Sequence, residues 1–144
     1  MQDQPTALEL IGAVREFLQS EIAPALQDHR LRFRALVAAN VLSIVERELP
    51  LEAAQLRDER ARLLALDAGN SLEPAQIFSA ADQPTDLAAL REEVRALTAA
   101  LCERIRAGDA DEGPWRAAVF AHVRRSIEEK LRVNNPKYLE RVNG

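Results

Sequence analysis

The sequence predicts an all-α, single-domain bundle of about five helices. Three observations carry that expectation. The 144 residues are 47 % hydrophobic but only 4 % aromatic, and Ala, Leu, Arg and Glu, all good helix formers, dominate. Apolar residues recur at steps of three and four in five separate stretches, the period of one helix face. Prolines and glycines fall between the stretches, at Pro24, Pro50, Gly69, Pro84, Gly108, Pro114 and Pro136, where they end or begin helices. One domain over 1–144 follows from the usual size of a folding unit, which at this length buries a core without staples.

The first helix is expected from Thr6. Thr6-Ala7-Leu8-Glu9 has the spacing of a capping box, in which the hydroxyl and the carboxylate satisfy free backbone N–H groups of the first turn. Leu8, Ile11, Val14, Leu18 and Ile22 form its stripe, and Pro24 should end or kink it. Ala25 to Asp28 then reads as a short connection. The second helix, Leu31 to Leu49, is the most apolar stretch of the chain. Phe33, Leu36, Val37, Val41, Ile44 and Val45 stack along one face, interrupted by Asn40. The other helices are expected to pack around it until Pro50 stops it.

Leu51 to Leu66 reads as a third helix, with Leu56, Leu63, Leu64 and Leu66 apolar. Its Arg57 to Arg62 turn, RDERAR, makes it the least amphipathic, so the expectation is an edge helix with a solvated charged face. Residues 68–84, punctuated by Pro74 and Pro84, read as one long irregular loop. The fourth helix starts at Thr85 or Asp86. Leu87, Leu90, Val94, Leu97, Leu101 and Ile105 give it a narrow seam, and Arg104 and Arg106 suit the negative end of its dipole before Gly108. The fifth helix begins at Pro114 or Trp115, with Trp115, Val119, Val123, Ile127 and Leu131 as its stripe. Pro136 closes it, leaving 137–144 as a C-terminal tail. The expected core is Leu36, Val37, Val41, Ile44, Leu90, Val94, Leu97, Leu101, Val119, Val123 and Ile127.

The formal charge of −4 lacks the positive field a general nucleic-acid binder needs. No apolar run approaches the roughly 20 residues that span a bilayer. The N-terminus lacks the basic and apolar regions of a signal peptide. A single cysteine, Cys102, provides neither an internal disulfide nor a cysteine-rich metal site. The expectation is a cytoplasmic chain.

Phosphate-binding glycine loops and the G-x-S-x-G elbow are missing from the sequence. The acidic loop Asp109 to Gly113 puts glycine, proline and Phe120 where a calcium loop needs oxygen ligands. No cofactor, metal site or catalytic residue is therefore assigned. Asn40, inside the apolar stripe, reads as a register-fixing contact between helices or, alternatively, a ligand contact. His122 reads as a half-buried histidine hydrogen-bonded to a neighbour. Arg124 and Arg125 belong to a locally basic C-terminal stretch suited to an acidic or phosphate-bearing partner.

Four motifs occur in order: PTALELIGAVREFL, FRALVAANVLSIVEREL, LCERIRAGD and KLRVNNPKYL. As a set the chain resembles a family of bacterial all-helical domains without a known catalytic signature. In that family the domain stands alone or follows a kinase-like domain of the aminoglycoside phosphotransferase type. The resemblance implies a context: a kinase-like partner, in settings near acyl-CoA metabolism. Asn40, Asn135 and Tyr138 fall in its recurring motifs. Two readings follow. One is a non-catalytic interaction or regulatory module. The other is a small-molecule binder or enzyme with a pocket between helices, lined by Asn40, His122 and Tyr138. Homo-oligomerisation through the Leu87 to Ile105 seam is a third.

Overall fold

The computed structural model describes residues 4–68 and 86–143. The expected loop 68–84 lies, apart from Ala68, outside them. Among the described residues the secondary structure is helical, with no strand. The all-α class is therefore established. No helix among them is long and apolar enough to cross a membrane. The chain divides into two compact units, Met1–Leu51 and Glu52–Gly144.

The first unit is a helical hairpin. Helix α1, Ala7–Phe17, opens on the expected capping box: Glu9 N–H donates to Thr6 Oγ1 at 3.3 Å, and Thr6 N–H donates to the Glu9 carboxylate at 2.7 Å. Those hydrogen bonds hold the Glu9 carboxyl below its ordinary value. Pro24 does not end the helix ahead of itself. The backbone widens into a π-helical turn, Leu18–Ile22, and one more turn, α2 at Ala23–Ala25, carries the proline through. Proline has no N–H to donate and its ring crowds the carbonyl four residues earlier, and a local π-turn relieves both. Asp28 then caps α3, His29–Glu48, accepting from the N–H groups of Arg30 and Leu31.

Helices α1 and α3 pack against each other. Ala39 is the one buried residue of α3, and Arg15 pairs with Glu46 across the hairpin. Gly12 lies under that pair: a Cβ there would come within 2.8 Å of Glu46 Oε1. The apolar stripe of α3 points elsewhere. Phe33, Leu36, Val37 and Val41 are exposed, and Ile44 is half-buried. The expectation that this helix forms the centre of the core is overturned. The face of α3 that turns inward carries Ala39, with Ala35, Leu42 and Glu46 half-buried beside it, and lies around the helix from the exposed side chains.

The second unit holds the core. Helix α4, Glu52–Asp67, packs on both α5, Leu87–Arg106, and α6, Pro114–Asn134. The buried cluster is Leu63, Leu66, Leu90, Val94, Leu101 and Val119, with Leu97 and Trp115 packed against it. Helix α4 is thus a middle helix, not an edge. It buries Ala61, Leu63, Ala65 and Leu66, because its charges find counter-charges on both neighbours. Arg60 pairs with Glu93 at 2.8 Å and Glu52 with Arg91 at 2.5 Å on α5. Within the Leu87 to Ile105 seam Leu90, Val94 and Leu101 are buried inside this unit, while Ile105 stays exposed.

Helix ends follow the expected chemistry. Asp86 caps α5 by accepting from Ala88 N–H. Gly108 and Gly113, at φ +93° and +82°, turn the chain at each end of the acidic loop, where a side chain would be strained. Most of the expected tail 137–144 is helical, and Gly144 lies outside the described residues. Pro136–Asn143 forms a short helix, α7, packed on α6, for a proline at the first helical position is preorganised to start one.

Candidate functional site

Helix α6 presents two different faces. The expected stripe, Trp115, Val119, Val123 and Ile127, is only partly inward. Val123 and Ile127 are exposed, which corrects their assignment to the core. The line buried along α6 is instead Val119, His122, Ser126, Glu129 and Val133, stepping by three and four. Three of those five are polar, and α4 explains why.

Facing that line, α4 contributes Asp58, Glu59 and Arg62. The Arg62 guanidinium reaches Glu129 with two hydrogen bonds, at 3.1 and 2.8 Å, in the bidentate geometry that suits guanidinium and carboxylate. Asp58 pairs with Arg62 one turn along α4 and with Arg125 at 2.9 Å on α6. Arg125 also donates to Glu129 at 3.1 Å. Ser126 Oγ lies 3.4 Å from Glu59 Oε1. Burial alone would raise the Glu129 carboxyl, but the hydrogen bonds and charges of Arg62 and Arg125 outweigh it and hold it below its ordinary value. The hydrogen bond from Arg125 to Glu129 in turn raises the guanidinium.

His122 sits at the end of this seam, 6 % exposed. The expected hydrogen bond to a neighbour is not made at Nδ1, which is buried without a partner. Burial pushes the imidazole below its ordinary value. The Arg62 charge adds to the push, Glu129 opposes it, and Lys130 adds to it again. The ring is therefore held neutral.

The other face of α6 borders a groove of about 360 Å³, lined by Ile105, Ala110, Asp111, Arg116, Val119, Phe120 and Val123. Phe120 is 61 % exposed. The Arg116 guanidinium lies 5.5 Å from its ring centroid and donates to Asp111 O at 3.0 Å. Trp115 closes the inner side of the same turn. Its Nε1–H donates to Leu66 O at 3.0 Å, satisfying a carbonyl at the end of α4, and Arg104 stacks over the ring at 4.0 Å.

The residues singled out from sequence are dispersed. Asn40 is exposed on α3, in the Met1–Leu51 unit. His122 and Arg125 join the seam. Arg124 points outward and pairs with Glu128 at 3.1 Å. Asn135 is the exposed C-cap of α6, and its carbonyl accepts from Tyr138 N–H at 3.0 Å. Tyr138 stands half-exposed on α7. Neither the seam nor the groove is lined by Asn40, Asn135 or Tyr138. Sequence reasoning missed Arg62, Glu129, Ser126 and Phe120. A signal was present: His122, Ser126 and Glu129 step by four and three like a buried stripe, and Asp58–Arg62 and Arg125–Glu129 are opposite charges one turn apart. Among the described residues no group of three or more His, Cys, Asp or Glu is arranged to hold a metal ion.

Comparison with protein families matches residues 24–138 to Domain of unknown function (DUF6285). The chain belongs to this family. The matched span takes in α3, the seam and the groove, and begins within α2, so α1 lies outside it. No curated protein and no solved structure matches the DUF6285 chain.

Proposed function

We propose that this DUF6285 chain is a cytoplasmic, non-catalytic interaction or regulatory module that docks a kinase-like protein of the aminoglycoside phosphotransferase type. The observation that carries the docking is the groove beside α6. Ile105, Phe120 and Val123 are large apolar side chains left at the surface, and Arg116 and Asp111 rim them. An apolar strip with a charged rim is the receptor half of helix-in-groove recognition, in which an amphipathic helix lays its apolar face into the strip. The class of partner comes from the family resemblance of the four sequence motifs. The neighbouring arginines would steer an acidic segment. Arg124 is the one to test, since Arg125 is committed to Asp58 and Glu129.

The test is co-expression with a kinase-like protein of the aminoglycoside phosphotransferase type, followed by size-exclusion chromatography at low and moderate salt. The expected result is co-elution that Phe120→Asp abolishes and that salt weakens, because screening limits exposed charges to about 10 Å at 0.1 M. Arg124→Glu should slow association more than it speeds dissociation. A groove of about 360 Å³ also lies within the size range of small-molecule sites, which keeps a second reading. Separate elution at both salts, with a thermal shift produced by an apolar metabolite and lost in Phe120→Asp, would replace the module with a small-molecule binder.

A further inference from the structure

The outward stripe of α3 has a charge pattern that selects its occupant. Phe33, Leu36, Val37 and Val41 lie exposed on one side of the helix, with Asn40, also exposed, in their middle. Arg30, Arg32 and Arg34 crowd the first two turns, and the first turn holds no acidic residue. Glu46 and Glu48 stand at the other end, with Arg47 between them donating to Ser43. This polarity opposes the helix dipole, which favours acids at the N-terminus and bases at the C-terminus. Within the hairpin, Arg32 is held by Leu26 O and Glu46 by Arg15. Arg30, Arg34 and Glu48 are all exposed.

Arg30 and Glu48 are eighteen residues apart, five full turns, so they border the stripe on the same edge about 27 Å apart. Arg34 lies one turn in from Arg30 on that edge. Two such helices placed antiparallel bring like edges together, and the basic end of each meets the acidic end of the other. A parallel pair would set arginines against arginines. The same two-fold operation fixes the midpoint between Arg30 and Glu48, and Asn40 is one residue from that midpoint.

We propose that α3 is the homodimer interface of this chain: two copies pack antiparallel through Phe33, Leu36, Val37 and Val41, with Asn40 facing Asn40 of the second copy at the two-fold axis. An amide can donate to and accept from its own symmetry mate, so the pair satisfies both side chains and fixes the register, as a single buried Asn does in coiled coils. Arg30 and Arg34 then face Glu48 of the second copy. One helix pair is a small interface, so the dimer is concentration-dependent. This surface lies on a different unit from the groove, and its occupant is a second copy of the chain, so the inference stands or falls separately from the docking of a kinase-like partner.

The experiment is sedimentation of the full chain over a wide micromolar range. The expected result is a monomer–dimer equilibrium. Arg30→Glu with Arg34→Glu should weaken it by roughly tenfold, and Glu48→Arg added to both should restore it, each exposed pair contributing modestly. A second measurement places the axis. In a Cys102→Ser background, Asn40→Cys should form a disulfide dimer on mild oxidation and Glu16→Cys should not, because a disulfide needs the two Cα atoms within about 7 Å. A monomer at every concentration would overturn the proposal. So would a dimer indifferent to the charge reversal, or one in which Asn40→Cys crosslinks no better than Glu16→Cys.

Discussion

The two units of this chain spend their apolar residues in opposite ways. In the Met1–Leu51 hairpin the α3 residues Phe33, Leu36, Val37 and Val41 are exposed, and among the described residues Ala23 and Ala39 are its buried hydrophobic ones. The Glu52–Gly144 unit is rich in charge and holds the core, with an ion-pair seam beside it. Apolar periodicity marks a face that wants covering. It does not say whether the same chain covers it. The charged helix α4 became central because its neighbours carry matched charges, and α3 turned Ala39 inward and not its larger apolar side chains.

The sharpest way to break this contrast is to remove one side of the seam. Glu129→Gln leaves Arg62 buried against a neutral amide. The expected loss is about 1.5–3 kcal/mol, the worth of hydrogen bonds to a charged group, because Asp58 still pairs with Arg62. Urea denaturation measures it. Replacing both, Arg62→Met with Glu129→Leu, should cost less than the single change, and a double variant as unstable as the single would show that packing rather than charge holds α4 in place.

Next come paired substitutions, one in each unit. Leu90→Ala, at a site 2 % exposed, should destabilise by about 2–5 kcal/mol. Val41→Asp, at a site 51 % exposed, should change the stability of the dilute monomer by no more than about 0.5 kcal/mol, as for other surface positions. Circular dichroism melting at low micromolar concentration compares them. Equal losses would return α3 to the core.

A smaller effect is expected at Trp115. Trp115→Phe keeps the ring under Arg104 but removes the donor to Leu66 O, and should cost about 1 kcal/mol. Its mark is local: faster amide exchange at the C-terminal turn of α4.

The last prediction concerns acid. His122 in the folded unit binds its proton less readily than in the unfolded chain, where its ordinary value is 6.5. As pH falls through that value the unfolded chain takes up the proton first, so its contribution is full above it and declines below. Glu129, held below its ordinary 4.5, acts in the same direction at lower pH, since the unfolded carboxylate is protonated first. Stability should therefore fall between pH 7.5 and 5.5 in the native protein and stay flatter in His122→Gln. Parallel slopes in the two would remove His122 from the seam's pH response.

The sequence by itself determined the local structure of this protein. The capping box at Thr6, the cap at Asp86, the start at Pro114 and the turn at Gly108 are made by residues within a few positions of one another, so they are legible in a short window. The all-α class follows from the same information. What only the tertiary structure decided was which face of each helix turns inward. That choice rests on partners distant in sequence. Arg62 reaches Glu129 sixty-seven residues away, and this pairing rotates α6 so that His122 and Ser126 go in while Phe120, Val123 and Ile127 stay out. A buried charge is stable only when its counter-charge arrives from another element, and nothing in the local pattern of either helix records that meeting.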